Sequence, residues 1–361
     1  LLVTGSENQP KTYKKMIINP SLQKIAIVGV TGAVGAEFLS LFSARGWKID
    51  EIVGLASSRS SGTRITTDYG DIVVKEATSA SFEGCDIVFF SAGASRSKSL
   101  APAALGSGAW VIDNSSAFRM HPEVPLVVPE INFGAIQAHH RLIANPNCSA
   151  IIMLMAVAPL RALGRISRLV ISTYQSASGA GAAAMEELKE QTQRDLLGQS
   201  LNPKILPHPY AFNLFSHNTP IDETGANEEE RKVIEESRKI LDQPDLGINV
   251  TCVRVPVLRA HSESITIEFE SATPSEEEVR ELLRRAAGVR LADDRETNTF
   301  PMPRDATGTD EVLVGRIRRD TSHPRAICLF VAGDQLRKGA ALNAVQIAER
   351  LIEAGKIEVR G

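Results

Sequence analysis

No two cysteines of the chain stand at CxxC or metal-ligand spacing, and only four occur in 361 residues: Cys85, Cys148, Cys252 and Cys328. That argues against a disulfide scaffold or a metal site and leaves a reduced, cytoplasmic chain as the simplest expectation. Long apolar runs are missing as well. The longest, over residues 151–160, is too short and too interrupted to cross a bilayer. Charge of one sign is also lacking, since the formal net charge is only −3, so neither nucleic acid nor an anionic membrane is an expected partner. There is no internal repeat and no low-complexity segment. Residues 1–22 hold turn formers and lysines but no apolar stretch of signal-peptide type. They are read as an extension outside the fold, with residues 1–15 left out of fold reasoning and Met16 as a candidate start.

What is present is the material for two cores: 361 residues, 43% hydrophobic and 23% charged. Short apolar strands at 24–30, 52–56, 86–91, 110–113 and 142–144 alternate with helical patterns at 33–45 and 97–105, which predicts a parallel sheet covered by helices. After Cys148 the rhythm changes. A helix over 149–163 leads to a strand at 169–174 and to longer alternating strands at 249–255, 264–270 and 326–331. That half reads as a mostly antiparallel α+β domain. A final helical pattern covers 338–354. The overall expectation is an α/β chain with an N-terminal Rossmann-type dinucleotide-binding domain and an α+β catalytic and dimerisation domain.

The first strand runs into Gly29-Val30-Thr31-Gly32-Ala33-Val34-Gly35. Glycines at a strand-to-helix turn let the backbone approach a pyrophosphate, and the helix points its free N–H groups at it. At the end of the second strand, where an NAD site commonly has a carboxylate, stand Ser57, Ser58, Arg59, Ser60 and Ser61; Asp50 and Glu51 lie before the strand. Hydroxyls and a guanidinium suit a ribose 2′-phosphate. The expected cofactor is therefore NADP, against the plainer reading of a polar turn.

Cys148 lies in Asn145-Pro146-Asn147-Cys148-Ser149-Ala150, between a strand and a helix N-terminus. The positive end of a helix favours the thiolate, so this cysteine is the candidate nucleophile. Cys252 and Cys328 fall in predicted strands, and Cys85 just before one, where packing explains them. Of the seven histidines, His261 follows a strand that carries Arg254, so one segment offers an anion receptor and an acid/base.

These residues resemble the aspartate-β-semialdehyde dehydrogenase family from about residue 24 to the C-terminus. The resemblance rests on GVTGAVG, SSRSSG, DNSSAFRM (113–120), VVPEIN (127–132), NPNCSA, YQSASGAG (174–181), FNLFSHNTPID (212–222), RVPVLRAHSE (254–263) and LRKGAALNAVQIAE (336–349). It implies Cys148 as nucleophile, Gln175 as an orienting residue and His261 as acid/base. It further implies Arg254 for a substrate carboxylate, Glu229 for an ammonium (Glu230 being a rival), and Lys232 and Arg119 for phosphate, helped by Asn147. Cofactor contacts would include Ser178, Gly179, Gln335 and Asn343 beside the glycine turn and Ser58 to Ser60. The family pattern Asp-Asn-Leu-Arg-Lys here has Gln335 in place of Asn, and Ala260 stands where Gly is common. The implied domains are 23–145 with 334–361 for NADP, the C-terminal helix returning to the first domain, and 146–333 for catalysis and dimerisation. A homodimer or homotetramer is the implied assembly.

The implied reaction is NADPH-dependent reduction of L-aspartyl-4-phosphate to aspartate semialdehyde with release of phosphate, through a thioester on Cys148, in amino-acid biosynthesis. Backbone N–H groups at the helix start are expected to hold the oxyanion. Two other readings stay open: an N-acetylglutamyl-phosphate reductase, whose pattern has Gly before and Tyr after its cysteine, and a catalytically silent nucleotide-binding paralogue. Asn147 and Ser149 depart from the first; an intact set of Cys148, Gln175, Arg254 and His261 argues against the second.

Overall fold

The computed structural model describes residues 21–358. Residues 1–15 and Met16 fall outside the described residues. Ser21 and Leu22, counted above with the extension, belong instead to the first strand, where Leu22 is only 1% exposed.

The first half contains β1 (Ser21–Val28), α1 (Ala33–Ala44), β2 (Lys48–Ala56), a hairpin of β3 (Arg64–Thr67) and β4 (Gly70–Val73), β5 (Lys75–Glu76), β6 (Ile87–Phe90), α2 (Ala94–Gly106), β7 (Trp110–Asp113), α3 (Pro129–Asn132) and β8 (Leu142–Ala144). Six strands pair in the order β5-β2-β1-β6-β7-β8, all parallel. Strands such as β6, IVFF, are buried on both faces, as a sheet with helices on both sides requires. β2 begins four residues earlier than its apolar run indicates, because Lys48 already pairs with Ser21. Asp50 and Glu51 are thus inside β2, still far from its C-terminal end.

The second half contains α4 (Cys148–Val157), β9 (Ile166–Gln175), α5 (Ala182–Leu196), β10 (Phe215–Ser216), α6 (Glu228–Leu241), β11 (Gly247–Arg254), β12 (His261–Phe269), α7 (Glu276–Arg285), β13 (Val289–Leu291), α8 (Pro303–Ala306), β14 (Val312–Arg319), β15 (Ala326–Gly333) and α9 (Leu342–Glu353). Its sheet has the order β10-β11-β9-β12-β15-β14-β13. It is antiparallel except for the β9–β11 and β13–β14 pairings. β9 and β11 run parallel because the chain crosses over between them through α5 and α6.

α4 is apolar all round, CSAIIMLMAV, and every residue from Ser149 to Val157 is buried. A helix of that kind belongs inside a core, so its first residue is held at a fixed interior point. The α-helix ends at Val157 rather than continuing to 163; Pro159 lacks an N–H, and residues 158–163 turn as a 3₁₀ helix. At the other end, α9 returns to the first domain, where Val345, Ile347 and Leu351 share one core with Ile25, Phe38 and Phe42. Residues 338–341, expected as the opening of that helix, fall instead in a π turn over 337–341.

Candidate active site

The glycine turn leaves β1 at Gly29, whose φ is +97° and whose position against Ser91 leaves no room for a Cβ. At Gly35 a Cβ would lie 2.4 Å from the Gly29 carbonyl oxygen. Gly32 caps α1 without a side chain, so nothing of its own covers the first N–H groups of the helix. Thr31 and Gly32 are exposed, with Ala33 and Val34 half-buried behind them. Ser58 to Ser60 form a 3₁₀ turn at the C-terminal end of β2, and Arg59 there is exposed. A close backbone cradle and an open helix N-terminus fit a dinucleotide diphosphate.

From this turn a cavity of 330 Å³ runs to the second domain, lined by Val34 at one end and by Cys148, Gln175, Glu229, Arg254 and His261 further in. Arg119, Asn147, Lys232, Ser178, Gly179 and Gln335 also line it. Twelve sequence-derived candidates therefore meet in one cavity, whereas Asn343 does not reach it. Asn343 is fully buried, with its amide on Val127 O and Asn145 Oδ1 and its oxygen on Lys338. A position in the first turn of an inward-facing helix directs it into the protein.

Cys148 opens α4, and the Asn147 side chain caps that helix by accepting from the N–H groups of Ser149 (2.9 Å) and Ala150 (3.2 Å). Those two donors are therefore shared with the cap. The Asn147 amide donates to Glu229 Oε1 at 2.8 Å, and its backbone N–H donates to Glu236 Oε2 at 2.5 Å. Asn147 thus positions its neighbours. Burial first, then the Glu229 carboxylate, pushes the Cys148 thiol up to about 12, against the pull of Arg119 and Arg254. Cys148 nevertheless remains partly open to the cavity. Burial likewise raises Cys85 to about 11, and Cys252 is buried in β11.

Gln175 ends β9 and donates to Ser149 Oγ (2.7 Å) and Glu229 Oε1 (3.2 Å). Glu229 is nearly buried; burial alone would raise its carboxyl, but the His217 ring, the Asn147 amide, Lys232 and Gln175 outweigh it and hold it down to about 2. Glu230, the rival, is turned away: it closes the capping box of α6 with Asn227 and accepts from Cys252 N. Lys232 lies 2.9 Å from Glu228 and 3.8 Å from Glu229, as i,i+3 and i,i+4 spacing on one helix face allows. Arg119 gives Nε to Asn145 O, Nη1 to Glu236 and Nη2 to Asn114 O, leaving the remaining guanidinium hydrogens for an anion.

His261 begins β12. Its Nδ1 accepts from the backbone N–H of Ser176 at 3.0 Å, so the ring proton sits on Nε2. Ser176 Oγ, Ser178 Oγ and the Gln335 amide extend this chain. Burial, then Arg254, lowers His261 to about 3, so the ring is neutral and a donor. Gly179 packs on that face: a Cβ would lie 2.9 Å from His261 Cε1. Arg254 Nη2 is 2.8 Å from His217 Nε2, while its Nε is buried without a partner among the described residues. His217 and Glu236 were not singled out as site residues. His217 lies in the FNLFSHNTPID segment but 37 residues from Arg254, and Glu236 shares the helix face of Glu229 and Lys232 one turn further on.

Among the described residues no group of His, Cys, Asp or Glu could hold a metal ion, and no helix is long and apolar enough to cross a membrane.

Two family models match the chain: the semialdehyde dehydrogenase NAD binding domain over residues 24–139 and the semialdehyde dehydrogenase dimerisation domain over residues 157–338. The aspartate-semialdehyde dehydrogenase of Synechocystis sp. is 53% identical over 336 residues, which is 93% of this chain and 99% of that protein. The same enzyme of Bacillus subtilis is 44% identical over 334 residues, 91% of this chain and 96% of its own. Among solved structures, aspartate semialdehyde dehydrogenase II from Vibrio cholerae complexed with ASA superposes with a TM-score of 0.87 at 40% identity, covering 91% of this chain and 98% of that one.

Proposed function

The chain belongs to the aspartate-semialdehyde dehydrogenase family, an oxidoreductase with an NAD(P)-binding domain, and we propose that it works with NADPH through a thioester on Cys148. The observation that carries the proposal is the single cavity that joins the nucleotide turn to Cys148, Glu229, Arg254 and His261.

In this reading Arg254 grips the α-carboxylate of aspartyl-4-phosphate and Glu229 takes its α-ammonium. An ammonium at Glu229 offsets the negative charge that adds to burial in raising the thiol, so substrate binding removes that part of the barrier to the thiolate. The Cys148 thiol gives its proton to water, the sulfur attacks the acyl carbon, and the C–O bond to phosphate breaks with phosphate leaving towards Lys232 and the free hydrogens of Arg119. Gln175, pinned by Ser149 and Glu229, orients the acyl group. The glycine turn 29–35 and Arg59 hold the cofactor, which when bound supplies the hydride that reduces the thioester. His261 Nε2–H donates to the oxygen that becomes negative, and collapse returns the sulfur and frees the aldehyde. An N-acetylated substrate has no ammonium for Glu229, which speaks against the N-acetylglutamyl alternative.

The protein is read as a cytoplasmic homodimer. What supports the dimer is the open face of the second sheet, where Tyr174 is 37% exposed beside Phe330, with ring centroids 6.1 Å apart, inside the segment that matches a dimerisation model. The deciding assay follows NADPH formation from aspartate semialdehyde, NADP and phosphate. Steady NADPH formation that does not depend on phosphate, or preference for N-acetylglutamate semialdehyde, overturns the reading.

A further inference from the structure

We infer that Glu37 is a positioning residue for this reaction: its carboxylate ties the helix of the nucleotide turn to both the imidazole and the thiol of the second domain. The inference deepens the thioester reading and rests on it.

Glu37 lies just over one turn into α1, with its side chain 11% exposed. Its two oxygens are divided between two arginines. Oε2 accepts from Arg259 Nη2 at 2.9 Å, and Oε1 accepts from Arg337 Nη1 at 2.8 Å. Each arginine stands two residues before a part of the site. Arg259 leads through Ala260 to His261. Ala260 holds φ +70°, a conformation that an alanine keeps only where its surroundings impose it. Its N–H donates to Gln335 Oε1 at 2.9 Å, and Arg259 Nε donates to Asp334 at 2.7 Å. Arg337 opens the π turn 337–341, and Gly339 in that turn lies against Cys148: a Cβ there would be 3.0 Å from the Cys148 Cβ. Two short paths therefore start from hydrogen bonds to one carboxylate beside the dinucleotide turn, one running along the chain to the imidazole and one through the packing of Gly339 to Cys148.

Each arginine has a second acidic partner that survives without Glu37: Asp334 for Arg259 and Asp310 for Arg337. Glu37→Gln thus keeps the shape and those pairs but replaces one acceptor by an amide donor facing a guanidinium. The fold should stand while α1 loses its register on the site. Group transfer tolerates little of that, since misplacement by about 1 Å costs about a hundredfold.

The test uses the full chain, with Glu37→Gln and Arg259→Gln beside the wild type, and three measurements. NADP affinity is obtained by titration. The rate of Cys148 alkylation by iodoacetamide is measured on cofactor-free protein. The burst of NADPH absorbance is followed on mixing enzyme, NADP and aspartate semialdehyde without phosphate. In the burst the sulfur adds to the aldehyde carbon; that carbon then gives up a hydride to NADP and its hydroxyl a proton to water, leaving the thioester. Burst amplitude counts competent sites, and burst rate reports their register. Glu37→Gln should slow the burst about ten- to hundredfold at saturating NADP, with near-normal amplitude and an NADP Kd within about threefold of wild type. Its Cys148 should alkylate about threefold faster or more, because Gly339 packs less firmly on it. Arg259→Gln should slow the burst yet leave alkylation unchanged, because its path ends on the imidazole. A Glu37→Gln protein with wild-type burst rate, or one whose amplitude falls while its rate holds, overturns the assignment. A wild type without a burst overturns the thioester reading instead, and the alkylation rates alone then decide Glu37.

Discussion

A sulfur that burial and Glu229 hold as a thiol up to about 12 needs its surroundings changed before it attacks. Glu229→Gln removes the negative charge, so the thiol pKa should fall and cofactor-free Cys148 should alkylate faster at pH 8; an unchanged pH profile of alkylation would separate Glu229 from the sulfur. The same change should harm turnover. Loss of a charged partner in a closed site costs about 2–4 kcal/mol, so Glu229→Gln and Arg254→Lys should each lower kcat/KM for aspartate semialdehyde by about thirty- to a thousandfold. Arg254→Lys belongs here because lysine cannot reproduce a planar fork. Neither should alter NADP affinity. On the nucleotide side, Arg59 is exposed and acts by charge alone. Arg59→Glu should weaken NADPH binding about tenfold or more and spare NADH, which titrations with both nucleotides decide; equal losses would make the segment a structural turn.

The glycine turn is where an element depends on one missing atom. Gly35→Ala sets a Cβ 2.4 Å from the Gly29 oxygen, against backbone that cannot step aside. It should cost most of the nucleotide affinity, read by titration, while Cys148 alkylation without cofactor persists. This turn was legible in the sequence because strand, glycines and helix are neighbours in the chain. So were β7 and β8, whose buried runs are bounded by turns, and Cys148, which stands where a strand meets a helix. Contacts between distant segments were not legible. Glu37 reads as an ordinary helix carboxylate until Arg259 and Arg337 are seen around it. The cap by Asn147 shares two N–H groups that a bare helix start promises, and a thiol pKa depends on a carboxylate 81 residues away in the chain. The inward direction of Asn343 was not legible either, because a helical pattern tells which residues share a face, not what that face meets.

For the whole molecule, buried titratable groups set the pH range of stability. Burial raises Glu263 well above the usual carboxyl range, and neither oxygen has a hydrogen-bond partner among the described residues. A raised carboxyl stabilises the fold fully below its unfolded pKa and ever less as pH climbs towards the folded one. Glu263→Gln, neutral throughout, should therefore gain Tm at pH 8 relative to pH 4, by about 2–4 °C for each kcal/mol recovered. His261, lowered to about 3, and His217, lowered to about 4 by burial and Arg254, act in the opposite sense. Their stability is present above the histidine range near 6.5 and is lost as pH falls below it. Thermal melts between pH 4 and 8 check both slopes; identical slopes for wild type and Glu263→Gln would show that carboxyl to be ionised in the fold.

The return of α9 to the first domain carries a consequence for how the chain is born. Val345, Ile347 and Leu351 complete a core to which Ile25, Phe38 and Phe42 also belong, and those three leave the ribosome before the entire second half has been translated. During that interval the nascent first domain exposes an apolar groove the width of a helix, and Glu37 waits for Arg259 and Arg337. The nucleotide-binding half cannot mature as an early, self-sufficient unit, as N-terminal domains generally do. A ribosome stalled just after β15 should display a protease-sensitive first domain, and translation through α9 should close it at the same moment that the site becomes whole.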